Sequence, residues 1–181
     1  MTRAVGMVNL VCFCLALRLA AQEGVNPFKP KDRSRPDARP GTVAMSNGET
    51  HKGMIYVTRD KPLRIYDTAA KLYRDLPIVA MKELEITVEK EGMEKEWRWE
   101  EGGSNVKVFT GKSYPWRQYV TTFTLTNGQK LTGHLKATPV YVETAGEKKK
   151  LIIHGKESGE IGRKLSDLVH IKKIVFEEPQ K

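Results

Sequence analysis

Two stretches eighty residues apart, SNGETHKG at 46–53 and TNGQKLTG at 126–133, constrain this chain more than any other feature. Each places Asn-Gly between runs in which apolar residues alternate with polar ones, and each has a second glycine five positions later. Alternation of period two marks a half-buried strand, and Asn-Gly between two such strands marks a β-hairpin turn, with Asn and Gly both expected at positive φ. Shifted by eighty, TVAMSNGETHKGMI at 42–55 falls on TFTLTNGQKLTGHL at 122–135 without a gap. Val43, Met45 and Ile55 face Phe123, Leu125 and Leu135, and Gly53 faces Gly133. The later glycine is expected to let the second strand bend, as strands do when a small sheet curls into a barrel.

The match continues more loosely. Pro62-Leu63-Arg64-Ile65 parallels Pro139-Val140-Tyr141-Val142, a polar turn follows each, and fourth strands are expected at 72–76 and 151–154. Met81 to Ile86 parallels Ile171 to Phe176 as a closing segment. Short strands at this turn spacing predict an all-β chain, with two tandem small antiparallel barrel-like repeats at 41–86 and 121–181 joined by a long aromatic-rich β-hairpin at 87–120.

The pattern Val43-x-Met45-x-x-Gly48-x-x-x-x-Gly53-x-Ile55, and its copy from Phe123 to Leu135, resembles the first signature segment of Sm-like barrels. Sm-like proteins bind RNA through an Asp/Asn pair and a later Arg-Gly or Lys-Gly turn. The closing segments IVAMKEL and DLVHIKKI lack that turn, so the resemblance implies the small-barrel fold and carries neither RNA binding nor ring assembly. The longer arrangement resembles uncharacterised exported proteins of planctomycete-type bacteria.

The N-terminus reads differently. Residues 1–21, MTRAVGMVNLVCFCLALRLAA, put Arg3 ahead of an apolar run that ends on small residues, the layout of a secretory signal peptide. The other reading is an uncleaved anchor and the only expected membrane contact, yet the run is shorter than the roughly 20 residues a spanning helix needs. Export, to the periplasm or beyond the cell, is expected. Both cysteines, Cys12 and Cys14, lie in this segment, so the mature chain would hold no disulfide, thiol nucleophile or cysteine metal site. Loss of Arg3 and Arg18 lowers the formal charge from +9 to +7. Residues 22–40, with four prolines and many charges, cannot bury enough apolar surface to offset their ordering entropy. They read as a disordered basic linker, either a tether or an arm for anionic polymers.

All three tryptophans fall in the stretch the repeat does not explain. Trp97 and Trp99 would share one face of a strand with Arg98 on the other, and Tyr114, Trp116 and Arg117 follow across a glycine turn. Such residues combine large apolar area with a polar handle and are enriched at binding hot spots. They have two readings: a core that joins the two barrels, or an exposed surface for an envelope protein or polysaccharide. Candidates for chemistry are thin. His51, His134, His154 and His170 show no zinc-ligand spacing, and no nucleophile elbow or phosphate-cradling loop occurs. Ser104, Ser113, Ser158 and Ser166 stand in turn-like contexts, and the acids between Glu89 and Glu101 alternate with bases as on a solvated face. Glu147-Lys148-Lys149-Lys150 reads as a solvated hairpin tip, with a contact for an anionic partner as its second reading. No catalytic residue, metal or cofactor is therefore expected. The favoured reading is an exported binding or assembly module. A nucleic-acid binder of Sm-like type comes second, and a hydrolase using His and Asp from both copies comes last.

Overall fold

The computed structural model describes residues 35–103 and 105–177; the expected signal segment 1–21 and linker residues 22–34 lie outside them. The described residues contain no α-helix. Eleven strands form one curled antiparallel sheet: β1 Arg39–Met45, β2 Thr50–Val57, β3 Leu63–Asp67, β4 Leu72–Leu76, β5 Met81–Trp99, β6 Lys107–Leu125, β7 Lys130–Leu135, β8 Thr138–Thr144, β9 Glu147–Ile153, β10 Lys156–Ser158 and β11 Ile171–Phe176. Single 3₁₀ turns at Ile78–Ala80 and Leu165–Asp167 precede β5 and β11.

The Asn-Gly turns do join β1 to β2 and β6 to β7, but not in the two-residue form expected. Gly48 and Gly128 have φ of +91° and +83°, whereas neither asparagine is among the residues at positive φ. The Gly48 N–H donates to the Met45 carbonyl (3.2 Å) and the Met45 N–H to the Glu49 carbonyl (2.8 Å), which makes a three-residue loop closed by glycine in the left-handed region. The same two bonds recur at Leu125, Gly128 and Gln129. Asparagine serves through its side chain: Asn47 Oδ1 accepts from the Glu49 N–H at 3.1 Å, and Asn127 Oδ1 from the Gln129 N–H at 3.0 Å.

Strand pairing departs from a chain of separately closed barrels. Along the sheet the order is β4-β3-β7-β6-β5-β11-β1-β2-β8-β9, with β10 on β6. Thus β2 runs beside β8, not β3, and β3 runs beside β7. The later glycines explain how this packing is reached. A Cβ on Gly53 would run into the Glu143 carbonyl of β8, and one on Gly133 into the Tyr66 carbonyl of β3. Their role is to let a neighbouring backbone come close; neither requires a positive φ.

Because the strands interleave, the core is continuous. Val43, Ile55, Ile65, Leu84, Phe123 and Ile153 are fully buried, and Ile174 pairs with Leu84 where β11 meets β5. At about 25 cal/mol per Å², burial of such side chains is the main stabilising term. The last part of the expected linker, 35–40, is also ordered. Arg35 pairs with Asp37 at 2.7 Å and lies over the Tyr56 ring at 4.2 Å, while Arg39 and Pro40 begin β1. A guanidinium satisfied by carboxylate and aromatic face offsets part of the ordering entropy of this segment.

Candidate functional site

β5 and β6 are each 19 residues long, far longer than the other strands. Their inner parts carry core residues such as Leu84 and Phe123. Their outer parts pair only with each other, apart from Trp116 to Gln118, which also meet β10. The result is a two-stranded ribbon that runs to the Gly102-Gly103 turn, both glycines at positive φ.

On this ribbon Trp97 stands opposite Phe109, and Trp99 opposite Lys107, while Arg98 pairs with Val108 on the other face. The two indoles meet edge to face, with centroids 5.0 Å apart at 75°. The Lys107 ammonium lies 3.9 Å from the Trp97 centroid and 5.8 Å from that of Trp99. Trp99 is 53% exposed and Phe109 61%. The outer aromatics are thus not buried between two cores; exposed Trp99 and Phe109 and half-buried Trp97 form an apolar face with a cation at its centre.

The other three residues singled out in the sequence do not join that face. Trp116 pairs with Gly92, five residues back along β5 from Trp97, which is about 17 Å of strand. The missing side chain at Gly92 leaves room for the Trp116 indole, and Lys156 Nζ sits 5.1 Å from the Trp116 ring. Tyr114 is half-buried beside Glu94, and burial, followed by the Glu94 carboxylate, raises its phenol pKa above the ordinary value. Arg117 is a tie between elements: its Nε donates to Glu91 Oε2 and its NH1 to the Leu168 carbonyl, both at 2.8 Å. Arg117 also lines a cleft of about 390 Å³ with Ser46, Asn47, Glu91, Ser166 and His170. Beneath it Tyr119 is buried and donates to Glu157 Oε2 at 2.9 Å, and burial pushes its phenol pKa far up. The His170 ring lies 4.7 Å from that of Tyr119, and burial, then Arg117, lowers its pKa below the ordinary histidine value.

Two of the remaining histidines, His51 and His134, have protein partners. Lys149 Nζ is 3.0 Å from His51 Nε2, and His134 Nδ1 is 3.2 Å from the Tyr119 carbonyl. Among the described residues no group of three or more His, Cys, Asp or Glu side chains is placed to hold a metal ion, and no helix is long and apolar enough to cross a membrane. Ser104 lies outside the described residues.

Sequence reading missed Lys107 and Phe109. Both follow the glycine turn at period two, but which tryptophan each meets depends on a bulge between Lys95 and Trp97. It also missed two cross-strand tyrosine pairs, Tyr56–Tyr141 and Tyr66–Tyr73, because each is assembled by strand pairing. Comparison with known proteins finds no family model, no curated protein and no solved structure that matches this chain.

Proposed function

We propose that this chain is an exported, non-catalytic binding or assembly module of the cell envelope, built from two copies of one five-stranded unit, and that it engages its partner through the outer face of the β5–β6 ribbon. The observation that carries this reading is the face formed by exposed Trp99 and Phe109 with half-buried Trp97, centred on Lys107. A two-stranded ribbon is marginal in water by itself, and an apolar face of aromatic residues on one is stabilised by what covers it. Tryptophan and phenylalanine there would be buried by an envelope protein or polysaccharide.

Equivalent registers support the two-copy reading. Val43 pairs with His51 in β1–β2 and Phe123 with Leu131 in β6–β7, an offset of eighty on both sides. Ile55 pairs with Val142 across β2–β8, and Leu135 with Ile65 across β7–β3. Each first strand meets a closing strand, β1 on β11 and β6 on β5, and each ladder carries an irregularity near its end. The two units would then have exchanged their third, fourth and closing strands. The Sm-like likeness of the two hairpins agrees with such a unit and contributes nothing about its ligand.

The test uses the full chain without its leader on isolated envelope fractions. Trp97→Ala and Trp99→Ala should weaken retention while the melting temperature stays at the wild-type value, and raising the salt should change retention little. Unfolding of both variants would make the aromatics structural. Tight RNA binding that falls steeply with salt would favour the nucleic-acid reading instead.

A further inference from the structure

We propose a second binding site, separate from the ribbon: the cleft over Tyr66 and Tyr73 takes a carboxylate-bearing sugar unit of an acidic polysaccharide. The cleft measures about 410 Å³ and is lined by Arg64, Tyr66, Tyr73, His134, Leu135 and Lys136. That is within the range of about 300–1,000 Å³ usual for ligand sites. Three strands build it. β3 brings Arg64 and Tyr66, β4 brings Tyr73, and β7 brings His134 and Leu135 with Lys136 just beyond. Leu135 is buried and forms an apolar floor.

The chemistry of the rim selects the ligand. Tyr73 is 68% exposed, the most open large apolar side chain among the described residues, yet it is held in place by an edge-to-face contact with Tyr66 at 5.2 Å and 64°. β4 is the last strand at its end of the sheet, so no further strand covers the ring. Asp75 grips Arg64 through Nε (2.7 Å) and NH2 (2.8 Å). That pair cancels the arginine's charge but fixes the guanidinium plane with NH1 left to donate. Lys136 makes no side-chain hydrogen bond or ion pair among the described residues, and it carries the cleft's uncompensated charge. His134 is held by the Tyr119 carbonyl on one side, and its Nε2 lies 3.8 Å from Glu89.

A fixed aromatic face for the apolar side of a sugar ring, a planar donor for hydroxyls and an ammonium for a carboxylate describe an acidic sugar. A single-stranded nucleic acid fits less well. It is held by successive stacking platforms along a basic groove. Here the two tyrosines meet at an angle, so they form no slot for a base and offer one open face.

Titration calorimetry on the full chain without its leader tests the site, with a galacturonic-acid trisaccharide, maltotriose as its neutral counterpart, and a short oligothymidylate. The acidic trisaccharide should bind, and Tyr73→Ala and Lys136→Glu should each weaken it by about tenfold or more. Lys150→Glu, the same charge change on β9, and Trp99→Ala on the ribbon should leave it unchanged. The Trp99 arm separates failure of this site from failure of the ribbon reading. No binding of the acidic trisaccharide would overturn the proposal. So would equal affinity for maltotriose, or an equal loss in Lys150→Glu. Oligothymidylate binding that is tighter than the trisaccharide's and lost in Tyr73→Ala would assign the cleft to nucleic acid.

Discussion

The two tyrosine pairs began as the same device, a cross-strand aromatic contact, and ended in opposite environments. Tyr56 and Tyr141 are direct partners across β2–β8, stacked at 5.4 Å and 24°. Tyr66 and Tyr73 are direct partners across β3–β4, edge to face at 5.2 Å. The first pair is closed by the chain itself. Arg35 lies over Tyr56 at 4.2 Å, Lys148 over Tyr141 at 4.2 Å, and the Tyr56 hydroxyl donates to Glu143 Oε2 at 3.1 Å. Tyr56 is 3% exposed as a result, against 68% for Tyr73. The difference lies in what each edge has beyond it. β8 is followed by β9, and Arg35 arrives from ahead of β1, whereas β4 ends the sheet. A cross-strand aromatic pair is covered where the chain supplies cations to cap it, and becomes a candidate ligand face where it does not.

The comparison depends first on the close strand approaches that build both pairs. Gly133→Val would drive a side chain into the Tyr66 backbone, and Gly53→Val into the Glu143 backbone. Each should destabilise by about 4 kcal/mol, measured by denaturant unfolding, because the obstacle is a carbonyl that cannot rotate away. Wild-type stability in either variant would mean that the strand it contacts is not held there. Next come the pairs themselves. Tyr56→Ala should cost about 3 kcal/mol as the deletion of a buried side chain, and Arg35→Ala about 1 kcal/mol as the loss of its cap. Tyr73→Ala should shift the melting temperature hardly at all. Equal losses at Tyr56 and Tyr73 would erase the distinction between closed and open.

How far these sites could be read from sequence follows from the same strands. The all-β class, the two Asn-Gly hairpins and the shared face of Trp97 and Trp99 are local signals, set by period two and by turn chemistry. Partner choice is not local. Alternation at Ile55 and Tyr56 says which side chains face inward but not that β8 lies alongside, more than eighty residues away along the chain. Features that depended on a distant partner were therefore hidden: the Tyr56–Tyr141 pair, the cleft that β7 completes at Lys136 and the tie that Arg117 makes to Leu168, whereas Tyr66 and Tyr73 face each other across the local β3–β4 hairpin. Turn type was misread for a subtler reason. Asn-Gly suits a two-residue loop, but it suits equally a three-residue loop in which Asn47 uses its side chain and Gly48 alone takes positive φ.

A further effect is expected in acid, and it also separates the two pairs. Asp37, beside the closed pair, has its pKa lowered chiefly by the side-chain hydrogen bond from Arg35. Asp67 ends β3 one residue after Tyr66, and its pKa is lowered first by the Ala70 N–H, with Arg74 and the Ala69 N–H adding to it. These bonds measure 3.1 Å from Ala70, 2.8 Å from Arg74 and 3.0 Å from Ala69, and they shape the turn that carries β4 and Tyr73 back along β3. A carboxylate with a depressed folded-state pKa contributes stability that is fully present above its unfolded value, near 3.8, and is lost as pH falls through the folded one. Melting temperature should therefore hold steady down to about pH 4 and then drop. Asp37→Asn and Asp67→Asn should each flatten part of that drop, with the larger flattening at Asp67, where two backbone donors are fixed in place whatever the side chains do. Flattening confined to Asp37→Asn would mean that the β3–β4 turn does not depend on the Asp67 carboxylate, and that Tyr73 is held by its contact with Tyr66 alone.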